Sequence, residues 1–163
     1  MIVNGKALLL AAPIVDMLTE KRRAFGVSYG LSEAGYDTRI KQDVMFYPGS
    51  PAEVRVDDEW SDGTFTLASA IEEFQMPDDL VGVVHDKSTW ARKGLSVFNT
   101  VLEPGWKGFL TLELVYHGQS NLHIPAGAGI AQVIFHKTTD KASYDGKYQN
   151  QSDRPVAAIM EKG

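Results

Sequence analysis

The alternation of apolar and polar residues along the chain predicts mostly β-strands. Short segments rich in β-branched, leucine and aromatic residues are separated by Gly, Pro and Asp, which favour turns. The clearest predicted strands are Thr64–Leu67, Leu80–Val84, Phe109–Tyr116 and Ile130–Phe135. Many short strands with frequent turns are typical of a β-sandwich or jelly roll. We therefore predict a mainly β fold.

Two segments interrupt this strand pattern with helical spacing. The apolar residues of Gly5–Leu18 follow a helical period that is interrupted near Pro13, which predicts a short helix. In Lys87–Gly94, a Ser-Thr pair suited to capping precedes a few helix-compatible residues and a glycine stop. If this segment forms one or two helical turns, Ser88 and Arg92 lie on the same face.

The length of 163 residues indicates one domain, long enough to bury about 68–70% of the surface of the unfolded chain. No repeat, low-complexity tract or linker composition divides the sequence, so we expect a single domain over residues 1–163. Residues 144–163 are polar, and we predict that they form a mobile C-terminal tail.

Composition and charge argue against several functional classes. The formal net charge of -5 is unfavourable for general nucleic-acid binding, which usually requires a basic surface. The longest apolar run, Ala7–Val15, contains Pro13 and is too short to span a membrane. The N-terminus lacks the regions of an export signal, so we expect a cytoplasmic protein. A small polyanionic ligand remains compatible, because it needs only a few converging cations in a pocket.

The sequence does not favour a disulfide or a zinc site. It contains no cysteine, and its four histidines show no His-x-Glu or His-x-x-x-His spacing, so we interpret them as ordinary surface or half-buried residues. They are His85, His117, His123 and His136.

Five motifs follow one another between about Gly26 and Gln151. They are Val27–Ser32 leading to Gly35–Arg39, Lys87–Arg92, Leu102–Gly108 running into Thr111–Glu113, Gly129–Gln132, and Tyr144 with Gly146–Gln151. Each motif is weak alone, but the ordered set resembles the dCTP deaminase family, a branch of the trimeric dUTPase superfamily. The resemblance implies a homotrimer of dUTPase-like jelly rolls (β-clip) in which neighbouring chains complete each active site. It also implies hydrolytic deamination of dCTP to dUTP and ammonia.

Two positions resemble the deaminases more than the dUTPases. Glu113 stands where the dUTPase strand is apolar, and Gly146–Gln151 replaces the glycine-rich motif of the dUTPase arm. Glu103 stands where a dUTPase carries its water-activating Asp, as in one subgroup of deaminases. Trp90 departs from the family, which usually has Leu or Tyr there, and the spacing from Tyr144 to Lys147 is shorter than usual.

Deamination without a metal requires a carboxylate that is held away from water, and the strand ending in Glu113-Leu114-Val115 contains one. Period-two alternation predicts Leu110, Leu112 and Leu114 on one face and Phe109, Thr111, Glu113 and Val115 on the other. From the residues alone, a solvated Glu113 is the more ordinary interpretation. The resemblance reverses this preference, because it places the general acid/base of the family at Glu113.

The resemblance also implies roles for other residues. Arg92 would be the charge partner of Glu113, and Ser88 would hold the water or the departing ammonia, although a surface ion pair and a helix cap are the structural alternatives. A backbone carbonyl near Val101 would accept a further hydrogen bond. The complete implied substrate site is Lys87, Ser88, Thr89, Trp90, Ala91, Arg92, Val101, Glu103, Thr111, Leu112, Glu113, Gln132, Tyr144, Lys147 and Gln151.

Mg²⁺ would arrive bound to the triphosphate, with no zinc and no other catalytic metal. Two alternatives remain open on the same scaffold. One is a bifunctional enzyme that also cleaves dUTP to dUMP, with Glu103 replacing the missing Asp, and the other is a non-catalytic nucleotide sensor. dTTP is a candidate inhibitor, whereas we expect no nucleic-acid or membrane partner.

Overall fold

The computed structural model describes residues 1–163 and contains fourteen strands and two short helices. In chain order the elements are β1 Ile2–Val3, α1 Gly5–Ala11, β2 Lys21–Ala24, β3 Val27–Leu31, β4 Tyr36–Arg39, β5 Val44–Tyr47, β6 Glu53–Val56, β7 Glu59–Asp62, β8 Phe65–Gln75, β9 Leu80–Asp86, α2 Ser88–Ala91, β10 Leu95–Val97, β11 Val101–Leu102, β12 Lys107–Tyr116, β13 Leu122–Ile124 and β14 Gly129–Lys137. The predicted mainly β class is confirmed.

Three of the predicted strands lie within β9, β12 and β14, and the fourth, Thr64–Leu67, begins one residue before β8; each of these strands extends beyond the predicted segment. The predicted N-terminal helix is shorter than its apolar pattern. It ends at Ala11 because Ala12 adopts a left-handed conformation with φ of 47°, directly before Pro13. The predicted helical turn in Lys87–Gly94 is α2, with four residues. Neither helix has the length that a bilayer span requires.

The strands form three sheets, and every pairing between them is antiparallel. The seven-stranded sheet has the order β11-β9-β14-β4-β3-β2, with β1 also paired to β14. The three-stranded sheet has the order β10-β12-β8, and the four-stranded sheet has the order β13-β5-β6-β7. Many short antiparallel strands distributed over packed sheets are the architecture that the sequence pattern predicts.

The inner faces of the three sheets enclose one cluster of 30 buried apolar residues. Phe135 of β14, Leu112 of β12 and Phe46 of β5 are almost completely buried, so each sheet contributes to this cluster. Complete burial of such a side chain stabilises the fold by roughly 1.5–3 kcal/mol. The cluster therefore holds β12 firmly against the rest of the domain, and β12 carries the predicted acid/base residue.

Candidate active site

A cavity lies beside β12, β11 and the C-terminal segment. Its volume is about 470 Å³, within the range of small-molecule sites, and ten of its fifteen lining residues are hydrophobic. The lining residues are Phe65, Leu67, Thr100, Val101, Leu102, Glu103, Trp106, Leu110, Thr111, Glu113, Tyr144, Tyr148, Gln151, Val156 and Ala158. The cavity is therefore an apolar chamber that contains two carboxylates, those of Glu103 and Glu113.

Glu113 has the electrostatic surroundings of an acid/base residue. Its side chain is half-buried, and its Oε2 atom is buried without any hydrogen-bond partner. Burial raises the pKa of Glu113 above its ordinary value of 4.5, and a backbone hydrogen bond opposes this shift in part. An unpaired buried carboxylate oxygen costs stability, and such groups concentrate at functional sites.

The alternation predicted for β12 holds on both sides of Glu113. Leu112 and Leu114 point into the core, whereas Thr111 and Glu113 line the cavity. Leu110 differs from the prediction, since it lines the cavity although it was assigned to the face of Leu112. The pairing of β12 with β8 changes register between Phe109 and Thr111, which interrupts strict alternation at Leu110.

The C-terminal segment packs against the turn that precedes β12. Trp106 Nε1 donates a hydrogen bond of 2.7 Å to the carbonyl oxygen of Tyr148, and the Phe109 amide donates one of 3.0 Å to Gln151 O. Gly108 adopts a φ of 133°, and a Cβ atom there would lie 2.5 Å from the backbone nitrogen of Gln151. Glycine is therefore required at position 108, both for its conformation and for close approach of the tail.

Thr111 links the tail to the strand of Glu113. Its Oγ1 atom accepts hydrogen bonds from Gln151 Nε2 at 2.5 Å and from the Val156 amide at 3.1 Å. Val156 and Ala158 then form part of the cavity wall. Neither residue was predicted from the sequence, although the apolar Val-Ala-Ala run inside a polar tail was a usable signal. Trp106 and Tyr148 were not predicted either, although they lie within two of the quoted motifs.

Six residues of the implied substrate site line this cavity. They are Val101, Glu103, Thr111, Glu113, Tyr144 and Gln151. The remaining residues lie elsewhere in the same chain: Lys87, Ser88, Thr89, Trp90, Ala91, Arg92, Leu112, Gln132 and Lys147. The side chain of Leu112 belongs to the core, and that of Lys147 lies 5.4 Å from the ring centre of Tyr148.

A polar cluster surrounds α2, apart from the apolar cavity. Ser88 and Arg92 are exposed, and Arg92 forms no ion pair with Glu113 or with any other carboxylate of its own chain. Lys87 Nζ contacts Asp37 Oδ2 at 2.5 Å. Gln132 Nε2 donates a hydrogen bond of 3.0 Å to the hydroxyl group of Ser32. The residues implied for catalysis thus occupy two separate places within one chain.

The cavity contains no lysine, arginine or histidine. A triphosphate carries several negative charges, which proteins neutralise with cations and backbone donors. The cavity of a single chain therefore supplies no cationic side chain to such a ligand. No group of three or more His, Asp or Glu residues in the chain is placed to hold a metal ion.

The fold defines the broader class of protein. Native EIAV dUTPase superposes with a TM-score of 0.52 and 19% identity, covering 79% of this chain and 92% of that chain. A 2'-deoxycytidine 5'-triphosphate deaminase from Agrobacterium tumefaciens superposes with a TM-score of 0.56 and 16% identity, covering 82% of this chain and 47% of that chain. The chain has a dUTPase-like fold.

Sequence comparison defines the family. A family model described as dCTP deaminase-like matches residues 60–138. A dCTP deaminase of Campylobacter jejuni strain RM1221 is 36% identical over 155 residues, covering 83% of each chain. A dCTP deaminase of Paramagnetospirillum magneticum is 35% identical over 159 residues, covering 85% of this chain and 86% of the relative. The chain belongs to the dCTP deaminase family, which confirms the resemblance drawn from the five motifs.

Proposed function

We propose that the protein catalyses the hydrolytic deamination of dCTP to dUTP and ammonia, with Glu113 as the general acid/base. One structural observation carries this proposal. Glu113 presents a buried, unpartnered carboxylate oxygen in an apolar cavity of about 470 Å³, and burial raises its pKa. Membership of the dCTP deaminase family supplies the substrate, because the curated relatives carry that name.

The chemistry requires one proton acceptor that later becomes a donor. The Glu113 carboxylate accepts a proton from water while the water oxygen forms a bond to C4 of cytosine. Glu113 then gives this proton to N3 of the pyrimidine ring, which leaves a tetrahedral C4 that carries both the hydroxyl and the amino group. Glu113 next transfers the hydroxyl proton to the amino group, C4=O forms as the C4–N bond breaks, and ammonia leaves. A carboxyl group with a raised pKa suits both steps, because it binds the proton more tightly than an exposed glutamate does.

The active site in this proposal is shared between chains of a homotrimer. The cavity supplies Glu113 but no cation, whereas α2 exposes Ser88 and an unpaired Arg92 on the same protein. Apolar side chains are exposed at the cavity, since Phe65 and Val101 line it and are 48% and 53% exposed. An exposed apolar rim beside an incomplete polar site supports packing of a second copy there.

Ser88 and Arg92 of the neighbouring chain would then complete the chemistry of Glu113. The Arg92 guanidinium would favour the ionised carboxylate and oppose the effect of burial, which leaves a pKa suited to proton transfer. The Ser88 hydroxyl would hold the attacking water or the departing ammonia. The backbone carbonyl near Val101 would accept one further hydrogen bond.

For the triphosphate, we propose the Lys87 ammonium, the Gln132 amide and the tail residues Tyr144, Lys147 and Gln151. The Lys87 ammonium has three donors, of which two are used within the chain, so one remains for a phosphate oxygen. Mg²⁺ would enter bound to the phosphates, since it retains several waters and rarely needs an all-protein cage. This arrangement assigns no catalytic metal to the chain.

The test is to treat the protein with a chelator, restore Mg²⁺, add dCTP and separate the products by chromatography. We expect dUTP and an equal amount of ammonia. Conversion that returned only after addition of Zn²⁺ would contradict the metal-free mechanism. Binding of dCTP without any conversion would instead support the nucleotide sensor.

One observation favours a second activity. Glu103 lines the same cavity as Glu113, so a second carboxylate is available for activation of a water molecule. In the bifunctional alternative, Glu103 would help to cleave dUTP to dUMP. The same chromatogram distinguishes the two functions. Accumulation of dUMP without lasting dUTP would indicate the bifunctional reaction instead of simple deamination.

A further inference from the structure

The α2 segment is too short to be stable as an isolated helix. It contains only four residues, and isolated helices shorter than about 12–15 residues are marginal in water. The N-cap residue, Lys87, also forms no side-chain capping hydrogen bond. Yet α2 carries Ser88, and Arg92 follows it directly. Contacts from outside the segment must therefore hold these two side chains in place.

The first contact is a buried ion pair at the start of α2. The Lys87 side chain runs back into the seven-stranded sheet, where Nζ lies 2.5 Å from Asp37 Oδ2 and 2.9 Å from Ser28 Oγ. Only 11% of the Lys87 side chain and 3% of the Asp37 side chain are exposed. Gly129 permits the close approach of β3 at this point, because a Cβ atom there would lie 2.0 Å from the carbonyl oxygen of Ser28.

The second contact lies in the middle of α2. The Trp90 side chain is buried, and its Nε1 atom donates a hydrogen bond of 2.6 Å to the carbonyl oxygen of Gly129. An aliphatic side chain at this position would provide no such donor. The two contacts fix α2 against β4 and β14, and they leave Ser88 and Arg92 exposed on the outer side.

We propose that Asp37 is a positioning residue for the reaction, acting through Lys87, with Trp90 as a second positioning residue. This inference rests on the proposed function, because it concerns the orientation of Ser88 and Arg92. Without the Asp37 carboxylate, the buried Lys87 ammonium loses its counter-charge and is driven toward solvent. The start of α2 then loses its attachment to β4, and the two outward side chains lose their fixed geometry.

The test compares Asp37→Asn with Glu72→Gln as a matched control. Glu72 is also 3% exposed and ion-paired, with Arg39 Nε at 2.8 Å, but it contacts no residue of α2. Both substitutions keep the shape of the carboxylate and remove a buried charge. Any general loss of stability should therefore appear in both proteins, whereas loss of α2 geometry should appear only in Asp37→Asn.

Hydrogen exchange is measured on the free protein at the amides of Arg92 and Gly94, which bond to Ser88 O and Ala91 O at 3.1 and 3.0 Å. We expect exchange of these amides to be at least about tenfold faster in Asp37→Asn than in Glu72→Gln, when each rate is normalised to that of a core strand. Equal normalised rates in the two variants would overturn the proposal. Because this measurement needs no dCTP, it remains decisive even if the proposed deamination is wrong.

Kinetics supply the second readout. A misplacement of about 1 Å can reduce turnover by about 10²-fold, so we expect kcat of Asp37→Asn to fall by that order, with a smaller change in KM.

Lys87→Arg, which retains the cation, should protect the α2 amides from hydrogen exchange better than Lys87→Met does. If Asp37→Asn does not fold, Trp90→Phe tests the second contact, because it keeps an aromatic ring and removes the donor to Gly129. Unchanged exchange and kcat in Trp90→Phe would overturn the role of that contact.

Discussion

At the scale of single residues, Glu113 differs from the other carboxylates of the chain by its surroundings. Glu72 is more deeply buried but pairs with Arg39, and Asp37 pairs with Lys87. Glu113 has no such partner in its own chain. One of its oxygens makes no hydrogen bond, which also holds for Asp37 Oδ1, but of these two residues only Glu113 lines the cavity. The ion pairs satisfy the charges of Glu72 and Asp37, whereas Glu113 lies in the cavity wall without a cationic partner.

Replacement of Glu113 by Gln should abolish deamination while preserving dCTP binding and assembly. The amide keeps the shape of the side chain but cannot accept the proton of water, so we expect turnover to fall by roughly 10²–10⁴-fold. Glu73→Gln is the matched control, because Glu73 is an exposed residue of the adjacent β8 and lies outside the cavity. Near-normal turnover in purified Glu113→Gln would remove Glu113 from its proposed role.

The dependence of the rate on pH should report the pKa of Glu113. The first step needs the ionised carboxylate, and burial raises its pKa above 4.5, so the group stays protonated to a higher pH than an exposed glutamate. We therefore expect kcat/KM to rise with pH through a midpoint above 4.5. Removal of the neighbouring cation by Arg92→Ala should raise the pKa of Glu113 further, which a direct titration of that carboxyl group measures without turnover. A midpoint below 4.5 in the wild type would contradict the assignment.

The sequence predicted the identity of Glu113 but not the features that support its role. Alternation along β12 placed it opposite Leu112, and the family resemblance assigned its chemistry. Its unpaired oxygen depends on the absence of nearby donors from segments that are distant in sequence, which no local pattern reports. The pairing of Lys87 with Asp37 was missed for the same reason, because 50 positions separate the two residues.

At the scale of elements, the strand pattern predicted the core strands well and the ends of elements less well. β12 and β14 were predicted because their apolar alternation is long, and packing in the core preserves it. The change of register beside Leu110 was not predicted, because it depends on how β8 pairs with β12. The Gly5–Leu18 pattern extended beyond α1, since the left-handed Ala12 and Pro13 end the helix despite the apolar residues that follow.

The C-terminal segment packs against β12 and forms part of the cavity wall. We predict that this segment is mobile in the free enzyme, before a nucleotide binds. Truncation after Lys141 should leave a folded trimer that binds dCTP weakly and turns over poorly, because Tyr144, Gln151 and Val156 would be lost from the cavity. Truncation after Met160 is the control, since it removes no lining residue.

A tail that closes over the nucleotide should also be cut more slowly by protease when dCTP is present. Equal cleavage rates and unchanged kinetics after truncation would mean that the segment has no role in binding.

At the scale of the whole molecule, the proposed site is divided between chains. One chain presents an apolar cavity with Glu113 and no cation, and it presents Ser88 and Arg92 on the exposed side of α2. The five motifs contain all of these residues, and the family resemblance implied that neighbouring chains complete each active site. Sequence order did not show which chain supplies each residue. A closed ring of identical chains joins the two parts once per interface.

The most direct test of this account is complementation between Glu113→Gln and Arg92→Ala. Each variant alone should be inactive, because every site lacks one of the two groups. The two proteins are then unfolded, mixed in equal amounts and refolded together, and dUTP formation is measured. If each site takes Glu113 from one chain and Arg92 from the next, about one quarter of the sites in randomly mixed trimers are intact, so we expect about a quarter of wild-type activity. A mixture that assembles into mixed trimers but stays as inactive as its components would contradict a shared site.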